Sequence, residues 1–223
     1  MPDRGARKRP AYVGRPQFQP QRAKTSASRG KNDKVEVERF LIVCEGEKTE
    51  PLYFKGFHVP GFIPDLKGTG YNTLTLVDEA IRLRTEAKSA YDQVWCVFDH
   101  DSFPDDHFNR AISKAKAAGL QVAYTNEAFE LWYLLHFEDH RSALSRKQYS
   151  PKLSRRLGHK YEKNSPSIYD ELQSKQEEAI RRAESLLAEY GVDQNPHHSN
   201  PSTTVHLLVK ALRANVTPRP KIL

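Results

Sequence analysis

The chain has 223 residues with 35 Lys and Arg against 28 Asp and Glu, a formal charge of +7. No apolar run reaches the length of a membrane span, and the start Met1-Pro2-Asp3-Arg4 lacks a hydrophobic export core. A cytoplasmic protein is the reading that fits best, and the cytoplasm is the expected location.

The charge is unevenly spread. Residues 1–34 hold ten of the Lys and Arg and only two of the Asp and Glu, so the remainder is close to neutral. Those residues are rich in Arg, Lys, Pro, Gln, Ser and Gly and show no apolar period. They read as a disordered basic tail, either attracting phosphates non-specifically or serving solubility. An α/β core over residues 35–138 and a helical extension over 139–223 are expected to follow.

Phe40-Leu41-Ile42-Val43-Cys44 is continuously apolar, the signature of a strand buried on both faces of a parallel sheet. The first strand is expected over Arg39 to Cys44. Glu45-Gly46 ends it, and a short helix follows with Thr49 as cap, Pro51 in its first turn, and Leu52, Tyr53, Phe54 and Phe57 inward. A weak strand is expected within Val59 to Leu66. The loop Lys67 to Asn72 matches no complete nucleotide fingerprint and reads as a turn before a helix from Thr73 to about Ala90.

The clearest stretch is Val94-Trp95-Cys96-Val97-Phe98-Asp99-His100-Asp101. Five apolar residues are followed by two carboxylates one residue apart. In open α/β sheets ligands bind beyond the carboxyl ends of the strands. Two aspartates there repel each other unless a cation joins them, and oxygen ligands suit Mg²⁺ or Mn²⁺. If both strands are parallel, Glu45 emerges at the same edge as Asp99. Cys44 and Cys96 lie inside the apolar runs and read as buried free thiols.

A helix is expected from about Pro104 to Gly119, a strand over Leu120 to Tyr124, and a helix over Glu127 to Phe137 capped by Asn126. Strands alternating with helices imply a parallel α/β sheet. Beyond Glu138 the pattern turns helical and polar. Arg141 to Lys163 is basic, Glu171 to Tyr190 reads as an amphipathic helix, and a last helix is expected to start with Asn200 as cap and Pro201 in its first position.

Three blocks together resemble the RloB-like family, relatives of the abortive-infection protein AbiLii. They are Leu41 to Phe54; Val97 to Asp101 with Asn126 and Phe129-Glu130-Leu131-Trp132; and Asn200-Pro201-Ser202-Thr203-Thr204-Val205-His206. The resemblance covers about Arg39 to Leu212. That family is similar in turn to Toprim domains, the metal-binding fold of topoisomerases, primases and OLD-family nucleases. It implies a Rossmann-like sheet with a helical C-terminal extension. It also implies a metal site in which Glu45, Asp99 and Asp101 match residue by residue, Glu50 matches a following acid, and Glu130 is a further acid. Glu127 departs from the expected pattern, which has proline after the asparagine. Family members are encoded near phage-defence genes and often beside an ATPase, so a defence role and an ATPase partner are implied.

The residues suit phosphoryl chemistry independently. Asp99 and Asp101 can hold one Mg²⁺ or Mn²⁺, while Glu45 can bind a second or act as general base or acid. Glu130 can complete a second metal shell or only compensate a helix dipole. Arg155, Arg156, Lys160 and Lys163 can hold a nucleic-acid backbone, with Tyr161 stacking on a base, or form a solvated helical face. His206 can donate to a phosphate or be structural. His197 and His198 lack partners at zinc spacing. The leading expectation is a metal-dependent nuclease acting on DNA or RNA, tRNA included. The alternatives are a non-catalytic nucleotide- or nucleic-acid-binding regulatory subunit and a haloacid dehalogenase-type phosphatase with Asp99 as nucleophile.

Overall fold

A computed structural model describes residues 38–58, 65–100, 107–191 and 195–215. The basic tail, the start of the expected second strand at Val59 to Pro64, Asp101, and Pro104 to Asp106 lie outside these residues. Four strands form one all-parallel sheet in the order β2-β1-β3-β4. They are β1 (Phe40–Cys44), β2 (Asp65–Gly68), β3 (Gln93–His100) and β4 (Gln121–Asn126). Helices α1 (Thr49–Lys55), α2 (Thr73–Glu86) and α3 (His107–Ala117) fall between the strands. Helices α4 (Glu130–Leu135), α5 (Arg146–Leu157), α6 (Ile168–Leu172), α7 (Gln176–Ala188) and α8 (Val205–Asn215) follow. The expected α/β, Rossmann-like sheet with a helical extension is the fold observed.

The unbroken apolar runs explain why β1 and β3 are central. Each strand alternates between two cores. Leu41, Val43, Val94, Cys96 and Phe98 pack with α2 and α3 on one face. Phe40, Ile42, Cys44, Trp95 and Val97 pack on the other face in a larger cluster that draws residues from α1 and α4 to α8. Tyr53 sits there, fully buried, with Phe54, Phe57, Phe129 and Tyr133 around it in edge-on or tilted contacts. Both cysteines are buried and free, as expected. Among the described residues no helix is long and apolar enough to cross a membrane.

Several local expectations are corrected. The strand β2 continues through Lys67 and Gly68, which pair with Val43 and Cys44. Gly68 is required there because a Cβ would come within 2.6 Å of the Glu47 carbonyl oxygen. The helix after Asn72 stops at Glu86, where Ala87 turns extended. The long helix expected from Glu171 is divided by a 3-10 turn at Gln173–Lys175. Asn126 does not cap a helix. It ends β4, and its amide donates to Pro196 O (3.1 Å), Ser199 O (2.6 Å) and Ser202 Oγ (2.8 Å). Asn200 and Pro201 do not start the last helix either. Thr203 bridges antiparallel to Thr125, Thr204 N–H donates to Tyr124 O, and α8 begins only at Val205. Backbone bonding along the edge of β4 takes precedence over capping.

Candidate metal centre

The strand order reverses between β1 and β3: from β1 the chain moves to β2 on one side, then returns to β3 on the other. Such a switch point leaves a crevice at the carboxyl ends of the two strands. Cys44 is in register with Val97, so Glu45 and Asp99 emerge together at that crevice. Glu45 N–H donates to Val97 O at 2.9 Å, and Glu45 Oε2 accepts from the Asp99 N–H at 3.1 Å. The expectation that both acids reach one edge is met.

Asp99 shares the face of Trp95 and Val97, which is the face covered by α4. Its Oδ2 accepts from the backbone N–H of Phe129 at 3.1 Å and lies 3.7 Å from Arg146 Nη2. Phe129 is set by a turn in which Glu127 takes φ of +69°. Proline cannot adopt that angle, so the departure at Glu127 has a physical consequence: this turn is closed to proline. Arg146 is anchored to the same turn, donating from Nη2 to Glu127 O at 2.8 Å.

Two further acids are buried close by. Glu50, on α1, is 5% exposed and Glu130, at the start of α4, is 7% exposed. Glu50 Oε2 has no hydrogen-bond partner. A Cβ on Gly46 would collide with that carboxylate, so glycine is what lets Glu50 fold back against the β1 turn. Glu130 Oε1 accepts from the Tyr161 hydroxyl at 3.2 Å.

Glu45, Glu50 and Glu130 each act on Asp99, and Glu130 acts on Glu50. Burial pushes the Asp99 carboxyl well above the usual carboxylate range; Glu50, Glu130 and Glu45 add to this, and Arg146 opposes it. Burial likewise raises Glu50, with Glu130 adding and Lys163 and Arg146 opposing. Neighbouring carboxylates whose charged forms are disfavoured, as Asp99 and Glu50 are, gain from a cation placed between them. Among the described residues no three His, Cys, Asp or Glu side chains converge closely enough to hold a metal ion unaided. The donor chemistry nevertheless fits a hard divalent cation. Every donor is a carboxylate oxygen, and one of those oxygens is buried without a partner.

The expected nucleic-acid contacts divide. Arg155 and Lys160 are exposed. Arg156 is ion-paired with Glu138, its Nε donating at 2.6 Å. Lys163 lines a recess beside Glu130. Tyr161 is corrected: its ring is buried, so it has no face to stack on a base, and its hydroxyl serves Glu130. His206 takes the structural one of its two expected roles, not the phosphate contact. It is buried on α8, its electrostatic neighbours are Glu184 and Lys210, and it does not join the carboxylates. Sequence alone does not single out Arg146: it is one cation in a basic stretch, and nothing local ties it to Asp99, 47 positions earlier.

The fold and its acidic edge define an α/β protein with a carboxylate cluster at the switch point of a parallel sheet. The RloB-like protein family matches residues 40–212, most of the chain, and the chain belongs to that family. No curated protein and no solved structure matches it.

Proposed function

We propose that the chain is a metal-dependent, phosphodiester-cleaving nuclease of the Toprim type, using Mg²⁺ or Mn²⁺ and acting on DNA or RNA in phage defence. The observation that carries this reading is the convergence of Glu45, Glu50, Asp99 and Glu130 at the switch point, with Glu50 Oε2 buried and unpartnered. Asp99 and Glu45 are the central ligands in this reading, with Glu50 and Glu130 behind them. Asp101 joins them on its sequence position alone.

When bound, the cation supplies positive charge against the non-bridging and leaving oxygens of the phosphodiester. The chain's own groups do the rest. The Phe129 N–H holds the Asp99 carboxylate in place. Glu45, fixed by the Asp99 N–H, either binds metal or takes the proton from the attacking water. The defence role and an ATPase partner rest on the family resemblance.

Purified protein incubated with labelled DNA, total RNA and tRNA tests the reading. Cleavage is expected with Mn²⁺ and not without it, and Asp99→Asn should abolish both cleavage and metal binding. Glu45→Gln separates two roles. Loss of rate by about 10² to 10⁴ with unchanged metal affinity marks a proton-transfer group, and loss of both marks a ligand. Full cleavage by Asp99→Asn, or a covalent aspartyl-phosphate trapped on Asp99, would overturn the assignment.

A further inference from the structure

A recess of 280 Å³ opens beside the carboxylate cluster, lined by Glu130, Arg146, Lys147, Ser150, Tyr161 and Lys163. Three cations and a hydroxyl face one carboxylate, and that carboxylate already accepts from Tyr161. The first turn of α5 contributes Arg146 and Lys147, and Ser150 follows one turn on. Lys163 comes from the segment after α5. Arg146, Lys147, Ser150 and Lys163 are all exposed. Lys147 and Lys163 form no ion pair among the described residues.

We propose that this recess seats one backbone phosphate of a polynucleotide, next to the phosphate held at the carboxylates. The inference rests on the nuclease reading above. The recess holds several times the about 30 Å³ share of a single water, which is room for a phosphate group with some of its hydration. Cationic donors form charge-assisted hydrogen bonds to phosphate oxygens, and Arg does so through two parallel N–H groups. Arg146 joins the two places, since it lines the recess and its Nη2 lies 3.7 Å from Asp99 Oδ2. A strand held here is therefore set one side chain away from the acids. Such contacts position a substrate without reading its sequence.

The test is binding of a labelled single-stranded oligonucleotide to the full chain in EDTA, read as the dependence of affinity on salt. EDTA separates this proposal from the nuclease reading, because no turnover is needed. Lys163→Gln and the double variant Lys147→Gln/Lys163→Gln are compared with Lys88→Gln, an exposed lysine outside the recess. Loss of one phosphate contact should lower the log–log slope by about 0.7 in the double variant, with Lys88→Gln unchanged. Equal losses from Lys88→Gln and Lys163→Gln would reduce the recess to part of a diffuse basic surface and overturn the proposal. An unchanged slope in the double variant would overturn it as well. Lys163-dependent binding of a nucleoside 5′-monophosphate as tight as that of the oligonucleotide would overturn the polynucleotide assignment. Melting curves of each variant confirm that the fold is retained. If the slope falls as expected but Mn²⁺ produces no cleavage, the nuclease reading fails while the subsite stands.

Discussion

Asn126→Ala should destabilise the protein substantially, although the residue belongs to neither the metal set nor the recess. Its side chain is fully buried at the end of β4. The amide carries two hydrogens and faces three acceptors, Pro196 O, Ser199 O and Ser202 Oγ, so two full bonds are made at any moment. Removing them forfeits about 0.5–1.5 kcal/mol for each bond and leaves acceptors unpaired at about 1–3 kcal/mol where water cannot reach them. The Asn126 Oδ1 atom has no partner, and its removal offsets part of the loss. The expected net effect is about 2–4 kcal/mol, a large share of the roughly 5–15 kcal/mol that holds a typical fold. Urea unfolding followed by circular dichroism reads this directly. A thermal scan should show a fall in Tm of about 4–16 °C, taking about 2–4 °C per kcal/mol at this chain length. Asn126→Asp keeps the shape but removes the donor, so it should fall at least as far. Stability within about 0.5 kcal/mol of the unmodified protein, the usual range for an inconsequential surface change, would refute the claim that this amide pins the 196–202 segment to the sheet.

Two further outcomes follow from the packing. Gly46→Ala should displace the Glu50 carboxylate and weaken Mn²⁺ binding measured by calorimetry while the sheet stays folded; unchanged affinity would remove Glu50 from the proposed site. His136 is buried against Trp132 and Tyr53, and burial holds its imidazole down at about 4 from the usual 6.5. The unfolded chain takes up the proton first, so stability is full above about pH 6.5 and is lost as pH falls towards 4, by about 3 kcal/mol. His136→Phe should flatten that acid limb in pH-dependent urea titrations, and an identical limb would place the acid sensitivity elsewhere.

The parts legible in the sequence share one property: their signal is local. Phe40 to Cys44 and Val94 to Phe98 are continuous apolar runs, and such runs define both-face burial without knowledge of the neighbours. Glu45 and Asp99 are legible because each ends such a run. What misled was residue chemistry that serves two purposes. Asn126 and Asn200-Pro201 carry the chemistry of helix starts, but the Asn126 amide is used across 70 and more positions and residues 202–204 are claimed by the edge of β4. Tyr161 lies among cations in sequence, yet its hydroxyl turns inward to Glu130. Nothing near these residues states which partner will arrive from elsewhere in the chain.

A guanidinium does not complete the acidic site by itself. Arg146 divides its Nη2 between the Glu127 carbonyl, at 2.8 Å, and Asp99 Oδ2, at 3.7 Å, which is beyond hydrogen-bonding distance. Its side chain is about half exposed, so solvent weakens its hold on Asp99. Arg146 opposes the raised Asp99 and Glu50, and Lys163 opposes Glu50, yet both carboxyls remain raised. A divalent cation meets that demand better, since it brings twice the charge and accepts oxygens from several sides. On the proposed reading, metal at the carboxylates also relieves Arg146 of its part in neutralising Asp99. The guanidinium then turns to the phosphate in the recess, so metal and polynucleotide should each tighten the binding of the other. Calorimetric Mn²⁺ titrations of the Asp99-intact chain, with and without a phosphorothioate oligonucleotide that resists cleavage, measure this coupling. A gain of about 5-fold or more in Mn²⁺ affinity is expected, reduced in Arg146→Gln. Equal affinities with and without the oligonucleotide would mean that the recess and the carboxylates do not communicate.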